Sequence, residues 1–168
     1  MSEPLLIAAV ALSGGAAATI DLRTRRVPNQ LTLAIGLLGL TLSVLHVTHV
    51  TPTAALAGLV LGLLLMLPGH FIGATGAGDV KLFAAIGTLL GPAHIVVAFL
   101  YTALAGGLLA VIVALRRRRL QETMERTAAF VRTGGSNVGE IEHGPANNRF
   151  AYAPAIAIGA LAALVVGL

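Results

Sequence analysis

The chain has 168 residues, of which 57% are hydrophobic and only 11% are charged. Its mean hydropathy of +0.90 lies outside the range of soluble domains, so the composition excludes an ordinary soluble protein. The absence of cysteine excludes disulfides, thiol nucleophiles and cysteine-ligated zinc, and we expect neither a metal nor another cofactor.

Six apolar runs follow one another along the chain and predict an all-α, polytopic helical membrane bundle. A helix needs about 20 apolar residues to span a bilayer, so most of the runs are long enough. The fourth run is short, and we expect it to be tilted or packed inside the bundle. We predict one domain over residues 1–168 with about six spans: Pro4 to Ile20, Leu31 to Val50, Thr53 to Ile72, Val80 to Leu90, Ala93 to Leu115 and Phe150 to Leu168.

The first span and the turn after it carry two local signals. Small residues from Ser13 to Thr19 permit close helix contacts, so we expect the first helix to lie in the interior of the bundle. Val27 precedes a proline and is biased away from the α region, and Asn29 is a predicted N-cap of the second helix.

The basic residues predict the orientation of the bundle. With six spans, all 11 of them fall on one side, which the positive-inside rule makes cytoplasmic, with both termini external. Fusing residues 80–115 into one span would separate the first and last basic clusters across the membrane. Basic residues so placed argue against a nucleic-acid partner and for contact with anionic lipid. They are Arg23, Arg25, Arg26, Lys81, Arg116 to Arg119, Arg126, Arg132 and Arg149.

The segment 116–148 is the only sizeable piece predicted outside the membrane. Its first part is an expected amphipathic helix on the cytoplasmic leaflet, and the rest, from Thr133 to Asn148, is rich in turn residues. The apolar face of that helix is formed by Leu120, Met124, Ala128 and Val131.

The chain has only two aspartates, Asp21 and Asp79. Asp21 closes the first predicted helix and Asp79 opens the fourth, so the orientation set by the arginines places both at the cytoplasmic edge. An acid near hydrocarbon costs a few kcal/mol and by default suggests function. The alternative is that each acid caps a helix or pairs with Arg23, Arg25 or Lys81. Two aspartates at one edge favour a shared functional site.

Two carboxylates brought together share a proton, so that one serves as a base and the other as an acid. The base can take a proton from water while the water attacks a peptide carbonyl, and the acid can protonate the departing amine. Glycines at 73, 76 and 78 would let an extended substrate approach, because they lack side chains and tolerate positive φ.

Three motifs carry a resemblance to a known family. They are "GAGD" at Gly76 to Asp79 followed by "VKL", "DLRTRRVPN" at Asp21 to Asn29, and "RFAYAPAIAIGAL" at Arg149 to Leu161. Together with six spans they resemble the type IV prepilin peptidases, membrane aspartyl proteases of the GxGD class. The last motif is similar to the final helix of the short forms that serve tight-adherence pili. Longer members carry a cysteine-containing N-terminal domain with N-methyltransferase activity, which the resemblance does not imply here because the chain has no cysteine and no room before Pro4.

The resemblance implies that Asp21 and Asp79 are the catalytic pair of an aspartic endopeptidase. Gly76 and Gly78 match its shaping glycines, and Pro28, Asn29 and Lys81 match further motif positions with supporting roles. The implied substrate is a prepilin with a basic leader, a glycine at the cleavage point and an apolar transmembrane helix. It would be cut at the cytoplasmic face of the inner membrane. Pilus-assembly proteins are further candidate partners.

Other interpretations stay open at this point. Paired membrane carboxylates can form a proton relay in a transporter, although such groups usually lie near the midplane. A non-enzymatic subunit of a pilus or secretion assembly fits the composition but leaves the aspartates without a role. A phosphate-binding loop is rejected because no strand precedes the glycine turn. A metal site at His46, His49 and His94 is less favoured than solvated interfacial histidines, and His70 is expected to be interfacial.

Overall fold

The computed structural model describes residues 2–116 and 151–166, and within these ranges the chain is helical and forms no strand. The segment predicted to be amphipathic lies outside the described residues. Of the helices in these two ranges, three are long and apolar enough to cross a membrane, and two more are apolar but shorter. The all-α membrane bundle is thereby confirmed. The helices are α1 Ser2–Thr24, α2 Asn29–Val44, α3 Pro52–Phe71, α4 Ala77–Arg116 and α5 Ala153–Val166.

α4 is not one straight helix, because it reverses direction at Gly91. Gly91 has φ of 72° and ψ of 179°, which no residue inside a helix adopts. The rings of Phe83 and Phe99, on either side of it, lie 6.2 Å apart between centroids, whereas 16 residues of straight helix would separate them by about 24 Å. α4 therefore consists of a first arm, residues 77–90, and a second arm, residues 92–116, which agrees with two separate predicted spans.

The first arm of α4 forms the centre of the bundle, since residues 82–91 are all buried. Its helix partners approach it through glycines that leave no room for a side chain. A methyl group on Gly58 of α3 would overlap the carbonyl oxygen of Gly87, and one on Gly39 of α2 would overlap the hydroxyl of Thr88. Van der Waals contact between backbones holds helices together where the hydrophobic effect gives no help. The expectation that the short fourth run packs inside the bundle is confirmed.

The expectation that the first helix is interior is wrong. α1 packs mainly on α5 and more lightly on α4, with Gly14 so close to Ala157 that a methyl group would lie 2.9 Å from its Cβ. The opposite face is open: Leu12 is 74% exposed, and nothing lies within 4 Å of a methyl group on Gly15. The small residues of α1 serve one contact face, and composition alone does not reveal that the other face is uncovered.

α2 ends at Val44, six residues before the predicted end of its span. His46 takes the left-handed conformation, with φ of 54°. The amide of Val47 donates to the carbonyl of Leu42 at 3.0 Å and that of His46 donates to Ser43 at 3.2 Å. This hydrogen-bond pattern is the Schellman motif, which terminates a helix. The apolar run continues past the helix end, so hydropathy overestimated the length of α2.

Candidate active site

Asp79 occupies the third position of α4, where its carboxylate closes the first turn. The amide of Gly76 donates to Asp79 Oδ2 at 3.1 Å, and the amide of Asp79 donates back to the Gly76 carbonyl at 3.0 Å. A side chain that reaches back to the N-cap amide fixes its own rotamer, as in a capping box. Asp79 thus does cap a helix, and the cap holds one carboxylate oxygen in a defined place. The side chain is only 9% exposed.

Asp21 lies in the last turn of α1, with 4% of its surface exposed. Its Oδ2 accepts a hydrogen bond of 3.1 Å from the amide of Ala153, the first residue of α5. The amides at a helix N-terminus lack partners within the helix and point at a favourable place for negative charge. Asp21 therefore ties the end of α1 to the start of α5 across 132 residues of sequence.

The two aspartates lie near each other, close enough for their charges to interact. They come from different helices, and each has one oxygen held by a backbone amide at the start of a helix. The site thus combines two carboxylates from different helices, one at the end of α1 and one at the start of α4.

Backbone hydrogen bonds join the glycine-rich turn before Asp79 to the end of α3. The carbonyl of Gly69 accepts from the amides of Ala74 at 2.8 Å and Thr75 at 3.1 Å. His70 Nδ1 donates to the carbonyl of Thr75 at 3.1 Å. His70 is exposed, as predicted for an interfacial side chain, but its ring also fastens the turn that leads to Gly76.

Only one of the three turn glycines uses positive φ. Gly73 has φ of 71°, whereas Gly76 and Gly78 do not have positive φ. A methyl group on Gly76 would lie 3.0 Å from Asp79 Oδ2, and one on Gly78 would lie 3.3 Å from Val27 Cβ. Gly76 therefore keeps space beside the carboxylate, and Gly78 lets the turn between α1 and α2 pack against α4. At positions 76 and 78 the glycines are therefore required for their lack of a side chain and not for positive φ.

A hydrogen bond joins the two motif segments. Lys81 Nζ donates to Asn29 Oδ1 at 3.0 Å. Asn29 is the first residue of α2 rather than its predicted N-cap, because Pro28 takes the N-cap position with φ of −64° and ψ of 139° and no side-chain cap. The Pro28 carbonyl accepts from Leu31 at 3.1 Å. The prediction that Asn29 caps α2 is wrong, since its side chain reaches α4 instead.

The bond between Lys81 and Asn29 is expected to stabilise the protein modestly, because both side chains are exposed. Lys81→Met and Asn29→Ala should each lower the free energy of unfolding in detergent by about 1 kcal/mol. In a double-mutant cycle the coupling should be roughly 0.5–1.5 kcal/mol, since the two residues lose the same bond. Strictly additive effects would show that the bond contributes nothing.

Two residues of the site were not among those predicted, Tyr152 and Ala153. Ala153 contributes through its backbone, and Tyr152 lies within electrostatic range of Asp79. The available signal was Pro154, because proline is favoured in the first turn of a helix and so marks a start close to residue 153. Almost any residue type can donate a backbone amide, so no pattern of side chains in the sequence indicates such a contact.

In the described part of the chain, the other histidines are not members of a metal-ligand cluster. Within the described ranges, no three residues of the His, Cys, Asp and Glu types come together in a way that could hold a metal ion. His46 is instead part of the motif that ends α2.

The fold is a helical membrane bundle, and two buried carboxylates lie where its helix ends meet. A family model described as the type IV leader peptidase family matches residues 6–111. This match covers more than half of the 168 residues, and the chain belongs to that family. It is therefore a membrane peptidase, which favours hydrolysis over a transporter relay or a passive subunit. Comparison with curated proteins and with solved structures gave no match.

The family match ends within the second arm of α4 and does not include α5. The resemblance of residues 149–161 to the tight-adherence forms therefore stays a prediction.

Proposed function

We propose that this peptidase removes the basic leader of type IV prepilins, or of prepilin-like proteins, with Asp21 and Asp79 as its catalytic pair. The observation that carries the proposal is that the only two aspartates of the chain are both buried and interact, although 58 residues separate them. A pair of buried acids without a task would be a costly feature near a membrane.

In the proposed reaction, the pair holds one proton and a water lies between the carboxylates. The ionised carboxylate takes a proton from the water as its oxygen attacks the scissile carbonyl carbon, and the protonated partner hydrogen-bonds to the carbonyl oxygen. Collapse of the tetrahedral intermediate breaks the C–N bond, and a carboxyl proton passes to the departing amine. The products are a carboxylate on the leader and a free amine on the mature pilin.

Cleavage at the cytoplasmic face is part of the proposal. Arg23, Arg25 and Arg26 follow Asp21 directly, and Lys81 follows Asp79. All four are exposed, at the end of the bundle where the aspartates meet. Clustered basic residues favour the cytoplasmic side, and a basic leader would be found on that side. We further propose that the protein crosses the inner membrane several times and has both termini on the external side.

The test is cleavage of a prepilin by the purified protein in lipid vesicles. The substrate carries a basic leader, a glycine at the cleavage point and its apolar helix, and the products are identified by mass spectrometry. We expect one cut, directly after the glycine. A matched substrate with phenylalanine in place of that glycine should be cut far more slowly. An intact first substrate, or cleavage at unrelated peptide bonds, would contradict the proposal.

A further inference from the structure

Tyr152 packs against a glycine of the second arm of α4. A methyl group on Gly106 would lie 2.8 Å from the Tyr152 phenol oxygen and 2.9 Å from Cζ. The ring is half-buried, and Gly106 is buried beneath it. We call this contact between the Tyr152 ring and Gly106 the tyrosine seat.

The tyrosine seat lies directly at the start of α5. The Tyr152 carbonyl accepts from the amides of Ala155 at 3.0 Å and Ile156 at 3.2 Å, so Tyr152 is the residue from which the helix begins. The next residue, Ala153, is fully buried and donates its amide to Asp21. A displacement of Tyr152 is therefore passed to the amide that holds the Asp21 carboxylate.

Tyr152 also lies within electrostatic range of the second aspartate, Asp79. Gly106 itself is distant from the aspartates in sequence and contributes no side chain. The Tyr152 ring thus contacts the second arm of α4 at the start of α5, and the amide of the adjacent Ala153 connects that start to the end of α1.

We propose that Tyr152 is a positioning residue: its ring, resting on Gly106, sets the start of α5 and, through the Ala153 amide, the place of the Asp21 carboxylate relative to Asp79. This inference rests on the proposed function, since its effect is read in prepilin cleavage. It concerns catalysis rather than substrate affinity, because misplacing a reacting group by about 1 Å can cost roughly 100-fold in rate.

The test uses the neighbouring glycines 106 and 107 as a matched pair. Gly106→Ala places a methyl group against the ring, whereas nothing lies within 4 Å of a methyl group on Gly107. Both substitutions exchange the same residue types on the same helix, so their effects on helix propensity cancel in the comparison. Prepilin cleavage in vesicles is measured as kcat and KM across pH for wild type and both variants.

We expect Gly106→Ala to lower kcat by roughly 10- to 100-fold with KM changed less than threefold. The pH profile of kcat should also shift, since the interaction between the two carboxylates changes with their separation. Gly107→Ala should match wild type. Tyr152→Leu should lower kcat as well, and Gly106→Ala should have no further effect in that background, because the ring that it displaces is gone.

Each result decides the proposal. If Gly106→Ala does not accumulate in the membrane, Tyr152→Leu decides alone, since it removes the ring without creating an overlap. Wild-type kcat and pH profile in Gly106→Ala or in Tyr152→Leu would overturn the positioning role while the peptidase function stands. Equal losses in Gly106→Ala and Gly107→Ala would also overturn it. No cleavage by wild type would remove the proposed function and this inference together.

Discussion

Asp21→Asn and Asp79→Asn are each expected to lower prepilin cleavage by at least about 10³-fold, because each removes one member of the pair that would activate water and protonate the amine. Asparagine keeps the size of aspartate and keeps a carbonyl oxygen. The amides of Ala153 and Gly76 therefore retain an acceptor at 21 and 79, and we expect both variants to reach wild-type levels in the membrane.

Co-expression with a prepilin, followed by immunoblotting for the shortened form, measures this effect. The double variant should be no worse than either single variant, since the two groups act as one unit. Glu122→Gln provides a control, because it removes a different acid of the same chain. Processing that persists in either aspartate variant would mean that another group activates the water.

Gly87→Ala is expected to cause a large loss of stability, because Gly87 lies in the buried centre of the bundle. The added methyl group would overlap the carbonyl oxygen of Gly58 and lie 2.6 Å from its carbonyl carbon. Both atoms belong to the backbone, so no side-chain rotation relieves the overlap and α3 must move away from α4. Overpacking typically costs about 1–3 kcal/mol, and a backbone obstacle puts this site near or above the upper value.

Unfolding of the purified protein by SDS in mixed micelles measures the change. Gly15→Ala is the matched control, because its methyl group meets nothing within 4 Å and both variants gain helix propensity of about 1 kcal/mol. We expect Gly15→Ala to be neutral or stabilising. Gly87→Ala should unfold at a clearly lower mole fraction of SDS than wild type. Equal unfolding midpoints would show that α3 and α4 do not depend on this contact.

The parts of the fold that follow from local pattern could be predicted from the sequence. Apolar runs predicted the helices, and the division between the fourth and fifth runs predicted the break between the two arms of α4. The rarity of aspartate drew attention to Asp21 and Asp79, whose proximity the structure then supplied. These signals are local or concern residue types that membrane helices seldom carry. They can therefore be recognised in the sequence without knowledge of how the helices pack.

The parts that depend on distant partners could not be predicted. Asn29 has the residue type and place of an N-cap, yet its oxygen accepts from Lys81 on another helix. The partner of Asp21 is an amide of Ala153, and an alanine in an apolar run gives no sign of such a contact. The open face of α1 likewise depends on which neighbours cover it.

Because α4 reverses direction at Gly91, a change in the backbone angles there would rotate one arm of α4 relative to the other. Asp79 lies 12 residues before Gly91 and Gly106 lies 15 residues after it, so these distances along the two arms are about 18 and 22 Å. Opening the angle by about 5° would move Asp79 by about 1.6 Å over such an arm. The position of Asp79 is therefore sensitive to the backbone angles at Gly91, at the opposite end of this arm. The close glycine contacts between α3 and the first arm restrict the angle between the two arms.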